Sequence, residues 1–239
     1  MLYSSQMLRV HTVSLFLLNS GASAQSSLIG FEGATLALDS TGSADLAASY
    51  LITAHHGLQL DASVDPASGG LLASAGAHLY LIPDSDRRYG AFVEFSDLDN
   101  APIWAIEAGI EGVWVGGDTT FGIRAGGGLA RPGALDYIFA SASWERSLSD
   151  TFSFSASTTV AEFDEANISA IGAQAEVALS YQPRNTPFVV TVGYRADALT
   201  GYDTRACLFV AASYTFGQKP SFAFPDPLAG LWSRGLVGN

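Results

Sequence analysis

The side chains able to do chemistry in this sequence are few, and most of them are carboxylates. Twenty-three Asp and Glu stand against eleven Lys and Arg, and Lys219 is the only lysine. His55 and His56 are adjacent, and neighbouring strand residues point to opposite sides, so they make a poor metal pair. His78 could serve as a base only with a nucleophile and an orienting acid in reach, for which Ser74 and Glu94 could be enlisted. A nucleophile elbow needs glycine two residues before the serine, and Leu72 stands there. Asp97-Leu-Asp99-Asn100 opens in the manner of a calcium loop, but Pro102 occupies the turn position and no glutamate closes the site. Gly126-Gly-Gly128 lacks the lysine of a phosphate loop. No catalytic set, metal site or cofactor motif emerges, and the chain reads as a non-enzyme.

The elements that must carry these residues are strands. From about residue 27 to 216 the apolar pattern has period two. Phe188, Val190, Val192, Tyr194 and Ala196 share one parity against Thr191, Gly193, Arg195 and Asp197. Leu208, Val210, Ala212, Tyr214 and Phe216 repeat the pattern against Ala211, Ser213 and Thr215, and Ile171 to Tyr181 against Gly172 to Ser180. Turn-forming clusters separate the runs at Gly42, Gly57, Gly69-Gly70, Pro83-Asp84, Asn100-Ala-Pro102, Gly116-Gly-Asp118, Arg131-Pro-Gly133, Ser149-Asp150, Asp164-Glu-Ala-Asn167, Gln182-Pro-Arg-Asn185 and Gly201. Eleven turns join twelve strands, and ten or fourteen strands also fit the length.

Composition decides what bathes the two faces. Only 14% of the 239 residues are charged, against roughly 25% in an ordinary soluble domain. The polar parity is mostly Ser, Thr, Gly and Ala, which suits a confined lumen better than open water. The apolar parity carries aliphatics in mid-strand and aromatics near the ends, among them Tyr89, Phe95, Trp104, Trp114, Trp144 and Phe152. Trp and Tyr favour a membrane interface because one part of the ring is apolar and another can hydrogen-bond. In hydrocarbon every backbone polar group must be paired, so a sheet can cross only if it closes. A net charge of −12 excludes a nucleic-acid partner. No apolar run is long enough for a helical span.

In its alternation, aromatic placement and strand length, the stretch 27–216 resembles the bacterial outer-membrane β-barrels, porin-like ones included. The resemblance is one of pattern and reaches no particular subfamily. It implies an all-β fold, a single transmembrane antiparallel up-and-down barrel of residues 25–216. It also implies outer-membrane lipid and the outer-membrane assembly machinery as partners, with Tyr214 and Phe216 ending the last strand as the assembly signal. Residues 1–24 read as a signal peptide, with Arg9, the apolar Val13 to Leu18 and Ala22-Ser-Ala24 before Gln25, so the expected location is the bacterial outer membrane. Cys207 is the only cysteine, which excludes an internal disulfide. Residues 217–239 form a C-terminal periplasmic extension rich in Pro and Phe, in which Leu228 to Leu236 either docks at the barrel mouth or stays mobile.

On the lumen parity stand Glu94, Glu107, Glu111, Arg124, Glu145, Glu176, Arg195 and Asp197. Two readings are open for them. They form an electronegative constriction that passes small solutes or cations, or an internal ion-pair network that fills a narrow barrel as a structural or adhesive protein. An outer-membrane lipid hydrolase or acyltransferase is a third and weaker reading.

Overall fold

The computed structural model describes residues 30–67, 70–99, 102–131, 135–165, 168–219, 222 and 224. The signal-peptide segment 1–24 and Leu228 to Leu236 lie outside them. Twelve strands run in order: β1 (Phe31–Asp39), β2 (Ala44–Thr53), β3 (His56–Ala67), β4 (Gly70–Asp84), β5 (Arg87–Leu98) and β6 (Ile103–Gly116) make the first half. β7 (Thr119–Arg131), β8 (Leu135–Ser147), β9 (Phe152–Glu165), β10 (Ile168–Tyr181), β11 (Phe188–Leu199) and β12 (Arg205–Gly217) complete it. Each pairs antiparallel with its sequence neighbours, and β1 pairs with β12, so the sheet is a closed up-and-down barrel. The seam registers Gly33 on Gly217 and Asp39 on Ala211.

The turns at Gly42, Gly117-Asp118, Ser149-Asp150, Gln182 to Asn185 and Gly201 fall where the sequence placed them. Pro83-Asp84 lies inside β4 with the turn at Ser85-Asp86, and the connections at 68–69, 100–101, 132–134 and 166–167 lie outside the described residues. Gly57 is inside β3, and the turn precedes it. A Cβ on Gly57 would collide with the ring of Tyr80, so this glycine makes room for an aromatic ring across the ladder. The start of β1, the end of β12 and the β2–β3, β4–β5 and later even-numbered turns lie at one end of the barrel, called here the terminal end. The β1–β2 turn and the other odd-numbered connections lie at the far end.

Alternation sorts the side chains without ambiguity. Ile110, Ile138 and Leu208 point outward and are 69%, 63% and 76% exposed. Along the middle of the barrel the outward positions are aliphatic, aromatic, small or Thr. The outward charges Asp97, Arg131, Asp136, Arg146 and Glu162 sit near strand ends. So large a continuous apolar surface is unsuited to water and suited to lipid. At the terminal end the outward aromatics touch one another around the wall: Tyr89 meets Trp114, Trp114 meets Phe121, and Trp144 meets Phe154. Phe152 meets Tyr181, and Phe188, Tyr214 and Phe216 continue the belt.

Inward positions bond across the wall by hydroxyl pairs, such as Ser141 with Thr159 and Ser180 with Thr191, each at 2.8 Å. If lipid bathes the outside, Ile110→Arg or Val192→Arg, both in mid-strand, should each cost about 2–4 kcal/mol of folding free energy in bilayers. Denaturant titration into lipid vesicles measures this, with heat-dependent gel mobility reporting the folded barrel. Losses below about 0.5 kcal/mol, ordinary for a water-facing substitution, would contradict a lipid-facing wall.

Candidate functional site: the lumen

Strand parity sends all eight charged residues predicted for the lumen to the inward face, where the structure divides them by partner. Arg124 on β7 is 4% exposed and its Nη2 donates to Glu94 Oε2 at 3.2 Å and Glu107 Oε2 at 3.1 Å. Its guanidinium lies 3.8 Å from the centre of the Phe92 ring. Glu107 also accepts the Tyr137 hydroxyl at 2.6 Å. Glu111 faces His78 Nδ1 at 2.8 Å, while His78 Nε2 faces Asp61 Oδ2 at 2.7 Å. Arg195 Nε donates to Glu176 at 2.8 Å, and Lys219 Nζ reaches Glu145 at 2.8 Å. Asp197 is inward on β11 and lines the lumen cavity.

The residues of the hydrolytic reading, Ser74, His78 and Glu94, line the same cavity, but each is engaged by a partner outside that set. Ser74 Oγ bonds to Ser96 Oγ at 2.8 Å, Glu94 is held by Arg124, and both nitrogens of His78 are taken by carboxylates. His56 Nδ1 meets Thr53 Oγ1 at 2.8 Å in the turn, away from His78. Tyr214 and Phe216, the candidate assembly residues, face outward at the terminal end with their rings 4.4 Å apart.

The lumen is filled unevenly. On the far-end side of β4 to β11, inward apolar residues including Leu72, Leu98, Leu135, Phe139, Phe163 and Leu199 pack into a cluster that leaves little space. Beside it a cavity of about 630 Å³ follows the wall of β1–β4 and β10–β12 and reaches Glu94 on β5 and Arg124 on β7. Its rim includes Asp39, Thr41 and Ser43 at the far end, and its floor includes Phe222 and Phe224 from the chain beyond β12. Among the described residues, seven acids line it, Asp39, Asp45, Asp61, Asp65, Glu94, Glu176 and Asp197, against Arg124, Arg195, Lys219 and the imidazole of His78.

Four of those acids, Asp39, Asp45, Asp61 and Asp65, were not singled out from the sequence. The signal was present for two of them, because Asp61 and Asp65 alternate with Leu60, Ala62 and Val64 as regularly as the later charges do. Glu107 and Glu111, by contrast, are each 5% exposed and do not line the cavity.

No family model matches the chain, and no curated protein matches it in sequence. Solved structures do match in shape. The chain shares the fold of outer-membrane porins. The KdgM porin in complex with disordered oligogalacturonate superposes with a TM-score of 0.51 at 10% identity, over 79% of this chain and 99% of that one. The NanC porin gives 0.57 at 12% identity, over 76% and 98%. An outer-membrane channel from Pseudomonas putida F1 gives 0.58 at 9% identity, over 82% and 98%.

Arg124 holds the buried carboxylate of Glu107 and the half-buried one of Glu94, so removing it leaves their charge uncompensated. Arg124→Leu should destabilise the barrel by about 3–5 kcal/mol, measured by urea unfolding in detergent. Adding Glu94→Gln and Glu107→Gln should recover a large part of the loss. A single substitution that costs nothing would show that the network carries no structural load.

Proposed function

We propose that the chain is a bacterial outer-membrane barrel for passive passage of small solutes or ions, and that its lumen favours cations. The observation that carries this reading is the cavity beside the apolar cluster, where seven acids stand against Arg124, Arg195, Lys219 and His78. Acidic side chains in a confined, low-dielectric space attract cations and repel anions. The selective groups under this reading are Asp45 and Asp65 on the β2–β3 wall rather than Glu107 and Glu111, whose charges are taken up by Arg124 and His78. One porin of the same fold is in complex with oligogalacturonate, a polyanion. The wall described here has the opposite charge requirement, so its solutes are neutral or cationic and small enough for a space of about 630 Å³.

A second reading has its own support. The apolar cluster, the Arg124 network and the aromatic floor together occupy much of the lumen, which is what a closed structural or adhesive barrel would show. Neither reading gives the chain a chemical step.

Planar-bilayer recording separates them. Passage predicts discrete openings and, under a potassium chloride gradient, a reversal potential on the cation-selective side. Asp45→Asn with Asp65→Asn should move that potential toward zero, while Glu107→Gln should leave it nearly unchanged. Absence of openings, including from a Phe222→Ala chain, would reject passage and favour the closed barrel.

A further inference from the structure

The chain beyond β12 makes a set of contacts that passage through the lumen does not require. Gly217 has φ +71°, and a Cβ there would collide with the carbonyl oxygen of Glu32 across the seam. Glycine therefore allows the chain to turn where the ladder ends, and Gln218 N–H still donates to Glu32 O at 3.0 Å. After the turn, Lys219 meets Glu145, and Phe222 lies inside the barrel with 1% of its surface exposed.

Phe222 is held by its backbone as well as by its ring. Gln59 on β3, fully buried, donates from Nε2 to Phe222 O at 2.6 Å and accepts Phe222 N–H on Oε1 at 3.2 Å. A neighbouring strand would offer the same donor and acceptor pair; here one side-chain amide supplies both. The ring stacks on His78 with centroids 5.7 Å apart and planes 9° from parallel, and it meets Tyr80 at 5.1 Å. Tyr80 is fixed in turn, over Gly57 and with its hydroxyl donating to Glu32 at 3.1 Å. Phe224 joins Phe222, Tyr80, Ile82 and Val113 in an apolar layer at the terminal end.

We propose that Gln59, His78 and Tyr80 form a peptide-binding slot in the lumen, that its occupant is this chain's own C-terminal segment at Phe222, and that the docked segment shuts the terminal mouth. Chain connectivity selects this occupant. Phe222 follows the last strand by a few residues, so the loop that delivers it is short and its closure costs little entropy. The hold is non-covalent: two hydrogen bonds from one amide, ring contacts and an exposed ion pair. The segment is therefore displaceable, and the slot is the latch.

The docking claim stands independently of passage, whereas the shutting claim rests on it. Both are tested on the full chain, with heat-dependent mobility confirming that each variant folds. Hydrogen exchange should find the Phe222 amide protected, and Gln59→Ala should speed its exchange by about tenfold or more. Phe222→Ala and Gln59→Ala should both raise single-channel conductance over the parent. Exchange at the free-peptide rate in the parent would overturn the slot. Protection with equal conductance in all three chains would overturn shutting while leaving passage intact. If no chain conducts, passage and shutting both fall, and exchange sensitive to Gln59→Ala would still uphold the slot.

Discussion

A sheet surrounded by hydrocarbon has nowhere to send an unpaired N–H or C=O, and this one requirement organises the molecule. Every strand needs two neighbours, so β1 must find β12, and the register of Gly33 on Gly217 closes the circuit. Once the sheet is closed, the pleat leaves each residue two options, lipid or lumen. The outward set can then be almost free of charge along its middle, and polar and ionisable residues are driven inward whether or not they have a task there. Missing edge protection and scarce lysine follow from the same cause, since a closed sheet has no edge to blunt.

Twelve strands enclose more space than one layer of side chains fills, and the lumen is divided to deal with it. Apolar residues occupy one side toward the far end, Arg124 and His78 each gather two acids in the middle, and an aromatic layer sits at the terminal end. Pairing is what makes the middle layer tolerable. A buried carboxylate beside Arg124 loses its hydration but gains a guanidinium and, for Glu107, a tyrosine hydroxyl. What stays open is the strip along β1–β4 and β10–β12, where small and polar side chains leave room.

The fold was legible because parity is a local property: the alternation of Leu208, Val210 and Ala212 with Phe209 and Ala211 can be read without knowing the partner strand. Strand number, inward placement of the charges and the aromatic ends follow from it. Pairing is not local. Nothing near Glu107 in sequence says that Arg124 lies one strand away, and nothing near Gln59 announces a residue 163 positions later. Gly57 shows the same limit. A glycine beside two histidines looks like a turn until the Tyr80 ring is seen to need the space. The tail was the hardest part, because proline density argues against a strand and says nothing about a single phenylalanine entering a slot.

One carboxylate ties the acidic wall to the latch. Asp61 lines the cavity, accepts Gln59 Nε2 on both oxygens at 2.9 and 3.0 Å, and faces His78 Nε2 at 2.7 Å. Gln59 uses that same Nε2 to hold the Phe222 carbonyl, and His78 stacks on the Phe222 ring. The groups that set the charge of the cavity and those that hold its floor thus share atoms, and a change at Asp61 must reach Phe222 by both routes. The residues around Asp61 should therefore not behave as independent sites: within such a network, the effect of altering two members departs from the sum of the single effects. Asp45 stands one step further along the wall: it lies four residues from Ser49, the partner of Gln59, and two from Ala47, the partner of Asp61, so its charge meets the latch through Asp61.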